Sequence, residues 1–425
     1  MSDAADPSTL SASGDAPPTW SDPARAAEFQ RWLARVAPAQ RLVSASLRIA
    51  SADASFRRYL RIDTTDGASR IIMDAPPAHE HCAPFVQVAG LMQGAGLHVP
   101  QVLDWDQPQG FMLLTDLGTR TMMEAIDPAH PDANRPLYLQ AVNALLKWQQ
   151  ASRPGVLPPY DEALLQRELQ LFPDWYLARH RGVALEGARR DTLEQTFALI
   201  VARNLAAPQV YVHRDFMPRN LMVPPRSPAA RGALALQAAA PPESAPLRAV
   251  QARTGEPGAA ALSPEGAARA LGRPGGAGAD GEADGPLGVL DFQDAVHGPI
   301  SYDIASLLRD AFLSWDEEFV LDITIRYWER ARKLGLMDFE DWHQDFGSFW
   351  RAVEWMGLQR HLKVAGIFAR LTLRDGKPKY LADAPRFIGY IRHTAARYRE
   401  LAPLLKLVDE IEGSTAETGW FFGRN

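Results

Sequence analysis

The sequence predicts an α+β fold with a sheet-rich N-terminal lobe at 21–117 and a mainly helical C-terminal lobe at 118–410. Two observations support this prediction. Short segments rich in β-forming residues fill the first lobe, whereas helical periodicity dominates after Gly118. The chain has 425 residues, which is enough for one large core or for two lobes with a cleft between them.

The N-terminal lobe begins at a helix signal, Ser21-Asp22-Pro23, in which a capping residue precedes a proline of the first turn. One further helix is predicted over 84–93. Strands are predicted over 41–49, 56–62, 70–75, 101–106 and 110–115. We therefore expect an antiparallel sheet with one helix packed on it.

The C-terminal lobe is predicted to be helical apart from two short strands, around VYVHRD and LGVLDF. The predicted helices cover about 133–151, 161–181, 190–205, 301–313, 316–333, 340–370 and 384–408. Residues 224–286 are rich in Ala, Pro and Gly and lack aromatic residues, so we expect a low-complexity insertion at the tip of a hairpin. Residues 1–20 and 411–425 are expected to be tails.

Composition excludes several classes of partner. The formal net charge is −6, which argues against nucleic acid because phosphate backbones call for a basic face. Cys82 is the single cysteine, so a disulfide framework is excluded and a reducing cytoplasm is expected. No apolar run approaches the roughly 20 residues of a membrane helix. We expect a cytoplasmic monomer that acts on a small molecule, without nucleic acid or membrane as a partner.

The clearest chemical signal is the triplet His213-Arg214-Asp215, followed by Asn220. An apolar strand delivers the triplet, and Asn220 opens a second apolar strand. Phosphoryl transfer needs a carboxylate beside the acceptor hydroxyl and an oxygen ligand for Mg²⁺ on the same rigid loop. The spacing is that of kinase catalytic loops. It predicts Asp215 as the catalytic residue and Asn220 as a metal ligand, while His213 and Arg214 hold the loop.

A second carboxylate follows the insertion. The apolar stretch 287–290 ends at Asp291-Phe292-Gln293, so Asp291 is predicted to bind the metal and to bridge the nucleotide phosphates. Taken alone, an aspartate at a strand end is more often a turn or helix cap. The order of the triplet, Asn220 and Asp291 behind a β-rich lobe favours an active site that uses ATP and Mg²⁺.

These motifs carry a resemblance. The matching stretches are 51–59, 73–77, 113–118, HRDFMPRNLM at 213–222, 291–303 and 359–371. On these residues the chain resembles the aminoglycoside phosphotransferase/choline kinase superfamily, over roughly 25–410 without the insertion. More narrowly, it resembles the anomeric sugar kinases of cell-wall recycling. The resemblance implies a bilobal protein-kinase-like fold and transfer of phosphate from ATP to the C1 hydroxyl of N-acetylmuramate or N-acetylglucosamine. It also implies that Asp303 braces the catalytic loop; an acid favoured by the helix dipole is the alternative.

The predicted phosphate site lies between the first two strands, where a turn of small residues replaces a glycine-rich loop. Ser55 and Phe56 are predicted to contact the nucleotide there, the former through its hydroxyl and backbone N–H. Arg57 and Arg58 add positive charge, although strand alternation allows at most one of them to reach the cleft. An exposed hairpin with solvated arginines is the alternative.

The resemblance also implies that the segment ending the N-terminal lobe is a hinge whose backbone groups, here those of Leu113 and Leu114, bind adenine. Asp116, which follows, is expected to cap the next turn; contact with the sugar is the alternative. The strand at 70–75 has no lysine, although kinases of this class place a phosphate-binding lysine there. Either an arginine supplies that charge, or the metal and the loop suffice.

The predicted substrate residues lie on the catalytic loop and on the helix at 340–370. Trp350, Glu354 and His361 follow one helical stripe, with Arg360 beside it, and Arg219 comes from the loop. Aromatic faces stack on sugars, and Arg or His binds a carboxylate or an acetamido carbonyl. A core helix with a polar edge is the alternative.

Two other functions stay open at this point. The same fold can act on another alcohol, such as an aminoglycoside, choline or an amino-alcohol. A nucleotide-binding regulator with weak catalysis is the second, suggested by the missing lysine and the long insertion.

Overall fold

The structure is a computed structural model that describes residues 18–52, 56–224 and 285–413. The predicted tails at 1–20 and 411–425 and the predicted insertion at 224–286 lie largely outside these ranges. Ser55 lies outside them as well.

A five-stranded antiparallel sheet forms the core of the N-terminal lobe, as the sequence predicted. Its strands are β1 (Arg48–Ala52), β2 (Arg58–Asp63), β3 (Ser69–Asp74), β4 (Val102–Asp106) and β5 (Phe111–Thr115), in the spatial order β1-β2-β3-β5-β4. The predicted strand over 41–49 was wrong in its first half. Arg41 adopts a left-handed conformation and ends the first helix, and Ser44–Ser46 form a 3₁₀ turn.

The two faces of this sheet pack on different helices. Helix α1 (Pro23–Gln40), capped by Asp22, covers one face through Phe29 and Trp32. On that face the sheet contributes Leu60, Ile62, Ile72, Phe111 and Leu113. The alternate residues Met73, Met112 and Leu114 face the main core, which contains α2 (Ala83–Gly94). A side chain of β2, β3 or β5 therefore reaches either α1 or the C-terminal side.

The C-terminal lobe is helical, as predicted. Its helices are α3 (Met122–Ala125), α4 (Arg135–Gln150), α5 (Glu162–Leu169), α6 (Ala188–Ala206), α7 (Ser301–Leu308), α8 (Glu317–Lys333), α9 (Phe346–Leu373), α10 (Ala384–Arg397) and α11 (Ala402–Glu412). The single helices predicted over 161–181 and 384–408 are each divided. A π-helix, Phe172–His180, follows α5 because Pro173 cannot donate to the α-helical ladder. Pro403 sits in the first turn of α11, where a missing N–H costs nothing.

Two small ladders support the segments with the chemical motifs. Strand β6 (Gln209–Val212) pairs with β9 (Val296–Pro299), and β7 (Leu221–Met222) pairs with β8 (Gly288–Val289). The loop between β6 and β7 carries the triplet, and Asp291 follows β8. Strands β7 and β8 therefore pair regularly, although a long stretch of sequence separates them.

Close packing joins this region to its neighbours. Phe85 of α2 contacts Phe292 with ring centroids 4.9 Å apart, and the N–H of Val289 donates to the carbonyl of His98 at 2.8 Å. Farther away, a Cβ at Gly366 of α9 would lie 2.3 Å from the backbone oxygen of Leu171, so only glycine fits there. None of the helices in the described ranges has the length and apolarity that a membrane span requires.

Candidate active site

His213 connects the catalytic loop to the strand that precedes Asp291. Its Nε2 lies 3.0 Å from the carbonyl oxygen of Leu290, and its Nδ1 lies 3.2 Å from the backbone nitrogen of Asp215. The amide can only donate, so Nδ1 accepts and Nε2–H donates, which is the neutral imidazole. Complete burial lowers the pKa of His213 and favours that neutral form. His213 holds the loop, as the sequence predicted.

Asp303 holds the same loop through hydrogen bonds to its backbone. Its carboxylate accepts hydrogen bonds from the backbone N–H of His213 at 2.7 Å and of Arg214 at 3.0 Å. The bracing role that the resemblance implied is confirmed by these two contacts. Burial raises the pKa of Asp303 to about 6, although nearby His213 and the two amide donors oppose that rise.

Arg214 adopts an unusual backbone conformation, with φ of 77°. Contacts on both sides maintain it. Its carbonyl accepts a hydrogen bond from Nη1 of Arg360 at 2.9 Å, and its own Nη2 lies 2.6 Å from a carboxylate oxygen of Glu168. Left-handed backbone is unfavourable for a residue with a Cβ, so these contacts must outweigh its cost.

Glu168 is the centre of a buried charged cluster under the loop. Besides Arg214, it binds Nζ of Lys363 at 2.8 Å and the hydroxyl of Tyr160. Lys363 also reaches the hydroxyl of Tyr302 at 3.2 Å. Burial alone would raise the pKa of Glu168, but Lys363 and Arg214 outweigh it and lower the pKa below its ordinary value.

The structure brings together the three residues predicted for catalysis and metal binding. The Nδ2 of Asn220 donates to the carbonyl of Asp215 at 2.9 Å and to Oδ2 of Asp291 at 3.1 Å. The backbone N–H of Leu290 donates to the carbonyl of Asn220 at 2.9 Å. Asp291 has a φ of 64°, and Gln293 donates to its Oδ1 at 2.9 Å.

These atoms fit a hard divalent cation. Mg²⁺ is bound by oxygen ligands, commonly one or two from the protein together with phosphate oxygens and water. The two contacts of the Asn220 Nδ2 leave its Oδ1 as the oxygen available to an ion. Asp291 adds a carboxylate beside it, within one hydrogen bond.

Of the residues predicted for phosphate, Arg57 and Arg58 lie on opposite faces of the sheet. Arg58 pairs with Asp74 at 2.5 Å on the face that α1 covers. Arg57 lies on the other face and pairs with Glu80, which precedes α2, at 2.9 Å. The two side chains of that pair are only 13% and 11% exposed. Phe56 is 64% exposed and stacks on the ring of His79.

Leu113 and Leu114, predicted to meet adenine, lie within β5 between β3 and β4. Their backbone groups therefore belong to the two ladders, and sheet pairing ends at Thr115. Asp116 follows, and its Oδ1 accepts a hydrogen bond from the N–H of Gly118 at 2.9 Å. This contact confirms that Asp116 caps the turn.

Three of the residues predicted for the substrate share one stripe of α9, as predicted: the guanidinium of Arg309 lies 5.8 Å from the ring of Trp350 and 5.8 Å from that of Tyr390, which stacks on His361. Trp350, Glu354 and His361 are all buried on α9. Glu354 is held by the hydroxyl of Tyr398 and by Arg397 at 3.2 Å.

The remaining two lie beside the loop. Arg360 is buried, supports the carbonyl of Arg214 and lies 4.7 Å from the ring of Tyr302. Arg219 is exposed, with its guanidinium 4.9 Å from the ring of Phe312.

Sequence reasoning missed Glu80, Glu168 and Lys363, which act through other residues. Glu168 and Lys363 are ordinary charged residues of helices and Glu80 lies in the segment before α2, so only the burial of each side chain distinguishes it. The absence of a lysine on β3 indicated that an arginine elsewhere could supply the positive charge, and a buried arginine needs an acidic partner such as Glu80. No pattern in the sequence pointed to Glu168.

The family model described as "Phosphotransferase enzyme family" matches residues 46–234 and 280–336, which is more than half of the chain. The chain belongs to this family. Among relatives of this phosphotransferase, the N-acetylmuramate/N-acetylglucosamine kinase of Neisseria meningitidis is 42% identical over 94% of the chain and 99% of that protein. The kinase of the same name from Pseudomonas aeruginosa is 43% identical over 86% of the chain and 88% of that protein.

Solved structures confirm the fold of the phosphotransferase. A choline/ethanolamine kinase family protein from Mesorhizobium loti superposes with a TM-score of 0.51 at 13% identity, over 91% of this chain and 99% of the other. An amicoumacin kinase solved with AMP-PNP and Ca²⁺ gives a TM-score of 0.50 at 13% identity, over 87% and 94% of the two chains. The α+β bilobal fold is that of kinase-like phosphotransferases, and the enzyme is a kinase with an alcohol group as acceptor.

Proposed function

We propose that this phosphotransferase transfers the γ-phosphate of ATP to the C1 hydroxyl of N-acetylmuramate and N-acetylglucosamine, in the recycling of cell-wall sugars. The observation that carries the proposal is the similarity to the Neisseria kinase, 42% over almost the whole of both chains. The arrangement of Asp215, Asn220 and Asp291 supports the chemistry. We take the enzyme to be a cytoplasmic monomer.

Asp215 acts on the acceptor hydroxyl. Its carboxylate accepts a hydrogen bond from the anomeric O–H, aligns that oxygen with the γ-phosphorus and takes the proton as the new P–O bond forms. The bond between the γ-phosphorus and the bridging oxygen breaks, and ADP leaves. An anomeric hydroxyl is more acidic than an ordinary alcohol, so positioning contributes more than basicity. The contacts that hold Arg214 and His213 supply that positioning.

Asn220 and Asp291 would hold Mg²⁺ through a side-chain oxygen each. The ion would neutralise charge on the β- and γ-phosphates as it does in other kinases. The chain's own contribution is to keep the two ligands together: the hydrogen bond between them and the Leu290–Asn220 backbone contact fix their separation.

Arg57 supplies the positive charge that the missing strand lysine would provide. It lies directly before β2, in the stretch whose sequence predicts a phosphate-binding turn, and Glu80 orients its guanidinium. This pair parallels the lysine–glutamate pair that protein kinases place between a strand and a helix of the N-terminal lobe. Adenine would lie next to the segment that follows β5.

A coupled ADP-release assay tests the proposal. The panel contains N-acetylmuramate, N-acetylglucosamine, kanamycin and choline, with Mg²⁺ present or chelated. Turnover with the two amino sugars, dependent on Mg²⁺, is expected. Turnover with kanamycin or choline in place of the sugars would overturn the assignment of substrate.

The position of transfer needs a separate measurement. A sugar phosphorylated at C1 no longer reduces copper reagents, because its anomeric hydroxyl is blocked. Loss of reducing ends in step with ADP release is expected. Product that keeps its reducing end would place the phosphate on another hydroxyl.

A further inference from the structure

Asp310 follows α7 and is 2% exposed. Its Oδ1 accepts a hydrogen bond from the N–H of Phe312 at 3.3 Å. Its Oδ2 is buried and has no hydrogen-bond partner among residues 18–52, 56–224 and 285–413. A carboxylate oxygen removed from bulk water is unfavourable unless donors from a ligand or solvent reach it.

Asp310 is unusual among the buried carboxylates. In the described ranges, two carboxylates have a buried oxygen outside every hydrogen bond, Asp310 and Glu354. The Glu354 oxygen lies 3.2 Å from Nη1 of Arg397, which compensates its charge. No ion pair to Asp310 occurs within the same ranges. Its Oδ2 can therefore accept a hydrogen bond from a donor outside the chain.

The position of Asp310 points to the acceptor. Phe312, whose N–H it binds, lies 4.9 Å from the guanidinium of Arg219, the neighbour of Asn220 in the catalytic loop. Arg360 supports the other side of that loop at the carbonyl of Arg214. Burial raises the pKa of Asp310 to about 6, and the backbone N–H groups of Phe312 and Ala311, followed by the charges of Arg360 and Arg219, oppose that rise. Asp310 thus lies among the groups around Asp215 without an ion pair to either arginine.

We propose that Asp310 is a specificity determinant for the acceptor, whose sugar hydroxyl or acetamido N–H donates a hydrogen bond to its Oδ2. The inference rests on the proposed function. Amino sugars carry several such donors. The phosphate groups of ATP carry acceptors only and are repelled by a carboxylate. The donors of ATP are the ribose hydroxyls and the adenine amine, at the end of the nucleotide that we place next to the segment after β5, so we assign Asp310 to the sugar. It takes no part in bond making.

The matched variants are Asp310→Asn and Asp316→Asn. Asparagine at 310 keeps an oxygen for the Phe312 N–H but places an NH₂ where the sugar donor would arrive. We expect kcat/KM for N-acetylglucosamine to fall by about 10- to 100-fold, the effect of losing a hydrogen bond to a charged group. The KM for ATP should stay within about two-fold of the unmodified enzyme. Asp316 caps α8 in the same segment, and asparagine caps equally well, so that variant should behave as the unmodified enzyme.

A set of sugar analogues provides a readout that a purely structural role would not move. The set is the 3-, 4- and 6-deoxy forms of N-acetylglucosamine, together with 2-deoxyglucose, which has neither an acetamido group nor a hydroxyl at C2. The analogue missing the donor to Asp310 should lose activity with the unmodified enzyme, yet lose nothing further with Asp310→Asn. If every analogue loses the same factor with both enzymes, the inference is wrong.

The outcomes separate the two proposals. An unmodified enzyme that phosphorylates neither amino sugar contradicts the proposed function. An active unmodified enzyme with an equally active Asp310→Asn variant contradicts the inference alone. Should Asp310→Asn not fold, as judged by circular dichroism, Asp310→Glu enters the same cycle, because it keeps the charge and displaces the oxygens.

Discussion

The backbone N–H of Arg214 donates to the carboxylate of Asp303 at 3.0 Å, and this contact joins the catalytic loop to the first turn of α7. Arg214 holds a left-handed conformation, and Asp215 follows it directly. The direction in which the chain enters Asp215 is therefore determined by a carboxylate 89 residues away in the sequence. In the proposed mechanism, catalysis by this loop depends on a buried support as well as on Asp215, which meets the substrate.

Asp215→Asn should lower kcat for N-acetylmuramate by about 10²- to 10⁴-fold, because asparagine cannot take the proton. ATP binding should persist, since the metal ligands and Arg57 are untouched. Steady-state ADP release measures the first effect, and titration calorimetry with a non-hydrolysable ATP analogue measures the second. Sugar phosphorylation by this variant at the unmodified rate would remove Asp215 from the mechanism.

Asn220→Ala should raise the Mg²⁺ concentration for half-maximal activity by on the order of 10- to 100-fold, the range typical of a metal site that loses part of its support. The variant loses an oxygen ligand and the hydrogen bond to Asp291. Asn143→Ala, the same change on an exposed face of α4, is the control. An unchanged Mg²⁺ dependence in Asn220→Ala would contradict the assignment of the ligand.

Arg57→Ala should raise the KM for ATP by about ten-fold or more while the KM for the sugar changes little, because the variant removes positive charge near the phosphates. Arg58→Ala is the matched control, since Arg58 pairs with Asp74 on the face covered by α1. Glu80→Gln should raise the KM for ATP less than Arg57→Ala does, because the cation stays but loses its partner. An effect of Arg57→Ala on the KM for ATP that is no larger than that of Arg58→Ala would contradict the role assigned to Arg57.

Glu168→Gln should destabilise the fold by roughly 3 kcal/mol at pH 7, because Lys363 and Arg214 lose the carboxylate that compensates their buried charge. The folded-state pKa of Glu168 is below its ordinary 4.5, so its contribution is present above that pH. The contribution declines as the pH falls through the folded-state pKa. Urea unfolding between pH 3.5 and pH 7 measures the difference between the two proteins. A difference that grows on acidification would contradict this account.

Asp310 should change the free energy of unfolding with a pH dependence opposite to that of Glu168. Burial raises its pKa from 3.8 to about 6, so between these values the folded chain holds a proton that the unfolded chain has released. Stability due to this group is therefore lost as the pH rises from about 4 to about 6, by an amount on the order of 3 kcal/mol. Asp310→Asn does not lose this stability, so its free energy of unfolding should rise relative to that of the unmodified protein between about pH 4 and about pH 6. Parallel pH profiles of the two unfolding free energies would show that Asp310 titrates normally.

Much of the N-terminal lobe could be predicted because local signals determine it. In 58–63 and 69–74 the side chains alternate between the face that packs on α1 and the face that packs on the main core. The motif spacing likewise predicted that Asp215, Asn220 and Asp291 meet, and the hydrogen bonds confirm their proximity.

Other features depend on contacts between distant segments. The division of the helix predicted over 161–181 arises where Pro173 interrupts the ladder, and periodicity alone does not show it. The contacts of Arg360 and Glu354 could not be predicted from the sequence either. A helical stripe gives the direction of a side chain, but the partner of Arg360 is a carbonyl of the catalytic loop, which only the tertiary fold brings close.

Among the described residues, four other than glycine have positive φ, and two of them, Arg214 and Asp291, belong to the proposed active site. Left-handed backbone costs about 1–2 kcal/mol for a residue with a Cβ. Asp291→Gly would remove that cost along with a metal ligand. Selection for thermal stability alone would therefore favour glycine at 291, so the aspartate found there marks a position where turnover and stability conflict.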